Sequence, residues 1–201
     1  MFALFWTSLA QICCGNFATA TTEHDELIAL ADQIDSLYWK ALCTPMQGCL
    51  FALTGKASDA VQRITSGIAA LRSTGTTLWM PLHSSYFARA YAELGQFDDA
   101  WRSIGEGVSA AETTKETWFE AEVHRVAGEI ALKSPQPDAA KARAYFERAL
   151  EVSRQQQAKS WELRAAMSLA RLWRDQGKIQ QARDLLAPVY GWFAEGSTRS
   201  I

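Results

Sequence analysis

Four cysteines, three histidines and one pair of adjacent acids are the residues of this 201-residue chain that could carry chemistry. Zinc sites draw on cysteine or histidine pairs at short spacing, with a second ligand pair elsewhere. Cys43-x5-Cys49 and the neighbouring Cys13 and Cys14 do not supply that arrangement, and His24, His83 and His124 are scattered. The cysteines read instead as small buried hydrophobes, kept reduced in a cytosol. His124 shares its helix face with no serine or cysteine nucleophile and no third orienting group, so it reads as a half-buried packing residue. Asp98 and Asp99 come just after Gly95 and read as first-turn acids of a helix, where the backbone dipole stabilises negative charge by up to ~1 kcal/mol. Gly55-Lys56 lacks both the upstream glycine and the following hydroxyl of a phosphate loop. These residues predict no enzyme: no catalytic residue, no cofactor and no metal.

The elements that would position a site are far easier to read. Trp161, Ala170, Gly177 and Ala182 recur upstream as Trp79, Ala88, Gly95 and Ala100, and again as Trp39, Gly48, Gly55 and Ala60. A fourth copy holds Trp118, Gly128 and Ala142, and a first copy holds Ser8, Gly15 and Ala20 without a tryptophan. The closing alanine falls at 20, 60, 100, 142 and 182, in steps of 40, 40, 42 and 40. Self-similarity at such a period marks a repeat array. Seven positions, about two helical turns, separate the first small residue from the glycine, and Phe51, Tyr91 or Trp173 lies three beyond the small residue. That spacing is one face of a helix. Glycine then ends the helix in a left-handed conformation. A second amphipathic stretch starts within two residues, so each unit is a helical hairpin whose outer apolar face must stack on the next.

Ala88-x2-Tyr91-x3-Gly95-x-Phe97-x2-Ala100 and Ala170-x2-Trp173-x3-Gly177-x-Ile179-x2-Ala182 resemble the tetratricopeptide (TPR) repeat. The usual TPR step is ~34 residues, so these hairpins are longer by about six. The run Ser160 to Phe193 also resembles the C-terminal repeats of large bacterial proteins that join a nucleotide-cyclase or DNA-binding module, an ATPase module and a helical tail. Nothing in the sequence matches the cyclase or the ATPase module. The resemblance implies an all-α fold of the α-α superhelix class, a TPR-like solenoid of about five hairpins. Its units are 1-36, 37-76, 77-115, 116-158 and 159-195, in a single domain over 1-195, with a disordered polar tail over 196-201. Relatives of that kind place further repeats before this chain and another covering helix after it, which would make the chain a fragment or a truncated relative.

The composition fits. With 48% apolar and 11% aromatic residues the chain has ample material for a core. Net charge of −2 gives no general pull toward nucleic acid or anionic membrane. Residues 1 to 138 hold 9 Lys+Arg against 16 Asp+Glu, while residues 139 to 185 hold 10 against 5. The apolar opening, Met1 to Ala10 and on to Gly15, has no Lys or Arg, the first being Lys40, and the run is interrupted by Thr7, Ser8, Gln11 and Asn16, which argues against a signal sequence or a membrane span. It reads as a repeat helix whose apolar flank is sticky and prone to self-association. Pro45 is expected to kink the first helix of the second unit or to delay its start.

The TPR resemblance further implies that places 2, 5, 9 and 12 of each first helix face a concave groove. The candidate groove residues are therefore Arg89, Arg125, Glu129, Arg164, Arg171 and Arg174, with apolar side chains at the N-terminal end. The plainer reading of these arginines is a solvated face paired with Glu162, Asp175 and similar neighbours. The expected role is a non-catalytic regulatory module of the cytoplasm that binds a protein or peptide, with neither nucleic acid nor membrane as partner. A nucleic-acid-binding helical repeat and an enzyme without a recognisable site are the alternatives.

Overall fold

The computed structural model describes residues 1–76 and 78–198, and the described residues form helices joined by turns. In chain order these are α1 (Phe2–Cys14), α2 (Phe17–Gln33), α3 (Leu37–Leu53), α4 (Ala57–Ser73) and α5 (Met80–Glu93). They continue with α6 (Phe97–Thr114), α7 (Glu120–Lys133), α8 (Ala139–Gln155), α9 (Lys159–Asp175) and α10 (Ile179–Thr198). The fold is all-α, as expected. Gly196, Ser197 and Thr198, expected in a disordered tail, continue α10 as helical backbone, while 199–201 lie outside the described residues.

Within a unit the two helices are joined by the turn that the glycine spacing predicts. Gly55 and Gly177 have φ of 83° and 77°, a conformation that a side chain would strain. Each closes its helix with a backbone hydrogen bond from the next residue, Lys56 N–H to the Phe51 carbonyl and Lys178 N–H to the Trp173 carbonyl. The α7–α8 joint uses Ser134 to Pro137 instead, and Asp138 caps α8 by accepting the Lys141 N–H at 2.8 Å.

Small residues bring the helices together. Ala20, Ala60, Ala100 and Ala142 are fully buried, and Ala182 nearly so. A Cβ on Gly128 would lie 2.4 Å from the Phe146 ring, so α7 and α8 touch at a separation that only glycine permits. Pro45 does not delay α3, which starts at Leu37 and runs through it without a break in the helix. The missing N–H leaves the Ala41 carbonyl without its helical donor, but the proline ring packs on Gly67 of α4, where there is no side chain to obstruct it.

The chain's contacts gather in two compact units, Met1–Ser103 and Ile104–Ile201. In the first, α1 packs on α2, α2 on α3, α3 on α4, and α5 on both α3 and α4. Its core holds Leu27, Met46, Ile64, Leu71 and Leu82. In the second, α7 packs on α8, and α9 lies on both before pairing with α10. Phe119, Ile130, Phe146 and Leu169 are its largest buried side chains.

Candidate partner-binding surface

The first helices bring the candidate groove residues to very different surroundings. Arg125 is buried in α7. Its Nε and Nη2 each donate to a Glu122 carboxylate oxygen at 2.7 Å, and its Nη1 donates to Glu129 and, at 3.3 Å, to Ser168 Oγ. Arg164 of α9 donates to Glu122 Oε1 at 2.6 Å and lies over the Trp161 ring at 5.3 Å. Burial by itself would make the Arg125 guanidinium easier to deprotonate, but Glu122 and Glu129 more than offset it and raise its pKa. Glu122, Arg125, Glu129 and Arg164 thus form a charge-balanced network between α7 and α9. Such a network fixes register, and its charges are occupied by one another.

Arg89 of α5 lines a cleft of about 590 Å³ together with Lys56, Asp59 and Glu93, beside the α3–α4 turn. Arg171 and Arg174 of α9 are exposed, and Arg174 pairs with Asp175 at 2.8 Å. These two arginines edge a cleft of about 330 Å³ between α9 and α10. Its floor is apolar, made by Met167, Ala170, Ile179 and Leu186, and Arg183 adds a third cation from α10. An apolar floor with a rim of arginines suits an amphipathic segment that carries carboxylates. Sequence reasoning confined to first helices missed Arg183, Ile179 and Leu186. Extending the 40-residue ruler to the second helices would have found Leu186, because its counterparts His24, Ile64, Ile104 and Phe146 are all buried.

The first helix of the first unit carries an aromatic cluster. Phe2 and Trp6 of α1 are 67% and 53% exposed, while Phe5, Leu9 and Ile12 on the same helix are buried. Phe2 meets Trp39 edge-on at 5.1 Å, and Trp6 lies 5.5 Å from Trp79. Of the groove places expected in α1, namely Phe2, Phe5, Leu9 and Ile12, the last three are core positions, and Phe2 is exposed on the same helix as Trp6.

The residues screened for chemistry are placed as packing groups. His83 is fully buried with Nδ1 3.7 Å from Cys49 Sγ, and burial pushes its pKa down to about 4. His24 Nε2 lies 2.9 Å from the Cys43 carbonyl, and burial lowers its pKa too. His124 stacks on Tyr145 and is pushed to about 4 by burial and by the nearby Arg148 charge. Burial pushes the Cys43 thiol up to about 12 and the Cys49 thiol higher still. None of the four cysteines forms a disulfide. Among the described residues no group of three or more His, Cys, Asp or Glu side chains is placed to hold a metal ion. Among them, too, no helix is long and apolar enough to cross a membrane.

Comparison with solved structures gives the architecture its name. Two crystal structures of nearly identical TPR-like repeats from a Podosopora anserina protein assigned as a kinesin light chain, one carrying a single substitution, superpose on this chain. The TM-scores are 0.58 and 0.55, at 16% and 17% identity, with 98% of this chain and 95% and 96% of those chains covered. The fold is the TPR-like helical repeat. No protein-family model matches the sequence, and no curated protein matches it. At that identity the likeness extends to the fold alone, and the α9–α10 cleft stands on its own geometry.

Proposed function

We propose that this chain is a non-catalytic, cytoplasmic TPR-like interaction module, acting as one repeat domain over 1-195, and that it captures a protein or peptide segment in the α9–α10 cleft. The observation that carries this reading is the cleft itself, an apolar floor of Met167, Ile179 and Leu186 rimmed by Arg171, Arg174 and Arg183. Burying an amphipathic helix there would remove apolar surface from water at about 25 cal/mol per Å², while the arginines select acidic flanks. Arg125, Glu129 and Arg164 hold α7 and α9 in register and do not line that cleft. Arg89 belongs to the separate cleft beside α5 and has no part in it. The resemblance of Ser160 to Phe193 to the tail repeats of bacterial cyclase and ATPase proteins points to signal transduction as the setting, with this chain as the tail of such a protein or a truncated relative.

The test is a fluorescence-anisotropy titration with a labelled synthetic helix that bears a leucine stripe and flanking glutamates. Binding is expected to weaken with added salt, and Arg171→Glu with Arg174→Glu should weaken it at least ~10-fold without loss of helicity. Equal affinity for the charge-reversed chain, or for a peptide with lysines in place of the glutamates, would refute the assignment.

A further inference from the structure

The repeat register defines what each first helix touches in the hairpin ahead of it. Take Ser8, Gly48, Ala88, Gly128 and Ala170 as place 8 of their units. The Cys43 carbonyl, at place 3 of α3, lies 2.9 Å from Nε2 of His24, at place 24 of the preceding unit. His83, at place 3 of α5, meets Cys49 at place 9 across 3.7 Å. Ser168 Oγ, at place 6 of α9, accepts a hydrogen bond from Arg125 at place 5, at 3.3 Å. Places 3 and 6 of a first helix therefore seat on places 5, 9 and 24 of the hairpin before it.

Where the seating lies within one compact unit, in α3, α5 and α9, it buries the same side chains. At place 6 Met46, Tyr86 and Ser168 are buried, and at place 10 Leu50, Ala90 and Leu172 are buried. In α1 the corresponding Trp6 and Ala10 are exposed, with Ala3 and Phe2 beside them. α1 contains no charged side chain, so this face has the composition of a buried surface. At the other end, places 5, 9 and 24 of the last hairpin are Met167, Arg171 and Leu186, and all three line the α9–α10 cleft. Among the described residues the first surface is exposed and the second is an open cleft.

Charge agrees with the match. The hairpin of α1 and α2 carries five acids, all on α2 or the turn after it; Asp32 and Asp35 pair with Lys40, which leaves Glu23, Asp25 and Glu26 as its uncompensated charge, with no Lys or Arg before Lys40. The cleft that would receive this hairpin is rimmed by three arginines. We propose that α1 of one copy docks in the α9–α10 cleft of a second copy, continuing between molecules the stacking that each chain uses within itself. The contact is head-to-tail, joining different surfaces of the two copies. It rests on the reading of that cleft as a partner site and names the partner as a second copy of this chain.

Sedimentation velocity tests it. The chain should associate with rising concentration between ~1 and ~100 µM. Trp6→Glu blocks the α1 face and leaves the cleft intact, while Arg171→Glu with Arg174→Glu does the reverse. Each variant alone should self-associate at least ~10-fold more weakly, and an equimolar mixture should yield a one-to-one heterodimer. Circular dichroism checks folding, and Phe2→Glu supplies a second block of the same face. A wild-type chain that stays monomeric to ~100 µM overturns the proposal, as does a mixture that stays monomeric. Undiminished self-association of the cleft-blocked variant also overturns it, because symmetric pairing of α1 with α1 would then be the contact. If the wild type stays monomeric yet binds the acidic peptide through Arg171 and Arg174, this inference falls and the partner-site reading stands.

Discussion

Gly67 reports most sharply on how closely α3 and α4 approach. A Cβ at this position would lie 2.4 Å from both Cδ and N of Pro45 and 2.7 Å from its Cβ, whereas ordinary contact starts at 3.4 Å. The proline ring is closed and one of the contacted atoms is backbone, so no rotamer change relieves the clash and the helices must part by about 1 Å. In an unobstructed helix Gly→Ala stabilises by ~1 kcal/mol. Overpacking costs ~1–3 kcal/mol, and with a rigid neighbour the upper part of that range applies. Gly67→Ala should therefore destabilise by a net ~1–2 kcal/mol. Gly105, exposed in α6 with nothing within 4 Å of an added methyl, is the control, and Gly105→Ala should stabilise by ~1 kcal/mol. Guanidinium denaturation followed by circular dichroism reads the pair. Equal stabilisation by both substitutions would show that α3 and α4 do not pack as described.

Four further outcomes follow from the same geometry. His83 and His124 have folded-state pKa values near 4 against 6.5 when unfolded, so each stays neutral in the fold while the unfolded chain takes up protons. Stability is thus fully present above pH 6.5 and is lost as pH falls toward 4, by ~3 kcal/mol for the fully buried His83. His83→Leu should flatten that part of a stability-versus-pH curve, and an unchanged slope would contradict the burial. Glu122→Leu alone strips Arg125 of its bidentate partner inside the fold and should cost ~3–5 kcal/mol in a denaturant melt. Glu122→Leu combined with Arg125→Met should cost clearly less than the sum of the two single changes, and simple additivity would mean the pair is not coupled. In the native chain Cys14 should react with Ellman's reagent at once, whereas Cys43 and Cys49 should wait for unfolding, because burial holds both thiols protonated.

Much of the architecture was legible because it rests on small residues at fixed spacing. Gly15, Gly55, Gly95 and Gly177 were expected to be left-handed and have φ between 75° and 83°. The alanines of the ruler were expected at close crossings and are buried. The turns between hairpins were harder to read, since Asp35, Lys115 and Gln157 adopt positive φ without being glycine. Trp79, a marker of the repeat, takes φ of 72° just before α5, which starts at Met80 with Pro81 in its first turn. Pro45 was expected to disturb α3, and its accommodation depends on Gly67, which is distant in sequence.

The site was legible only at its end. Arg171 and Arg174 were expected in an open groove and do edge a cleft. Arg125, Glu129 and Arg164 were expected beside them and instead pair with Glu122 and one another. The reason is geometric: α9 covers the face of α7 on which Arg125 lies, as the Arg125–Ser168 hydrogen bond records. Within the second unit an inner-wall position stays open only where no later first helix seats on it. A periodic pattern assigns a residue to a face, but the neighbouring copy decides whether that face is exposed.

The α9–α10 cleft is tested most directly by NMR of the chain labelled with ¹³C-methyl methionine. Met167 lies on the cleft floor, whereas Met46 is buried in the other unit. Titration with the acidic amphipathic peptide should shift or broaden the Met167 methyl resonance and leave Met46 in place. Saturable binding with Met167 unmoved would contradict the account.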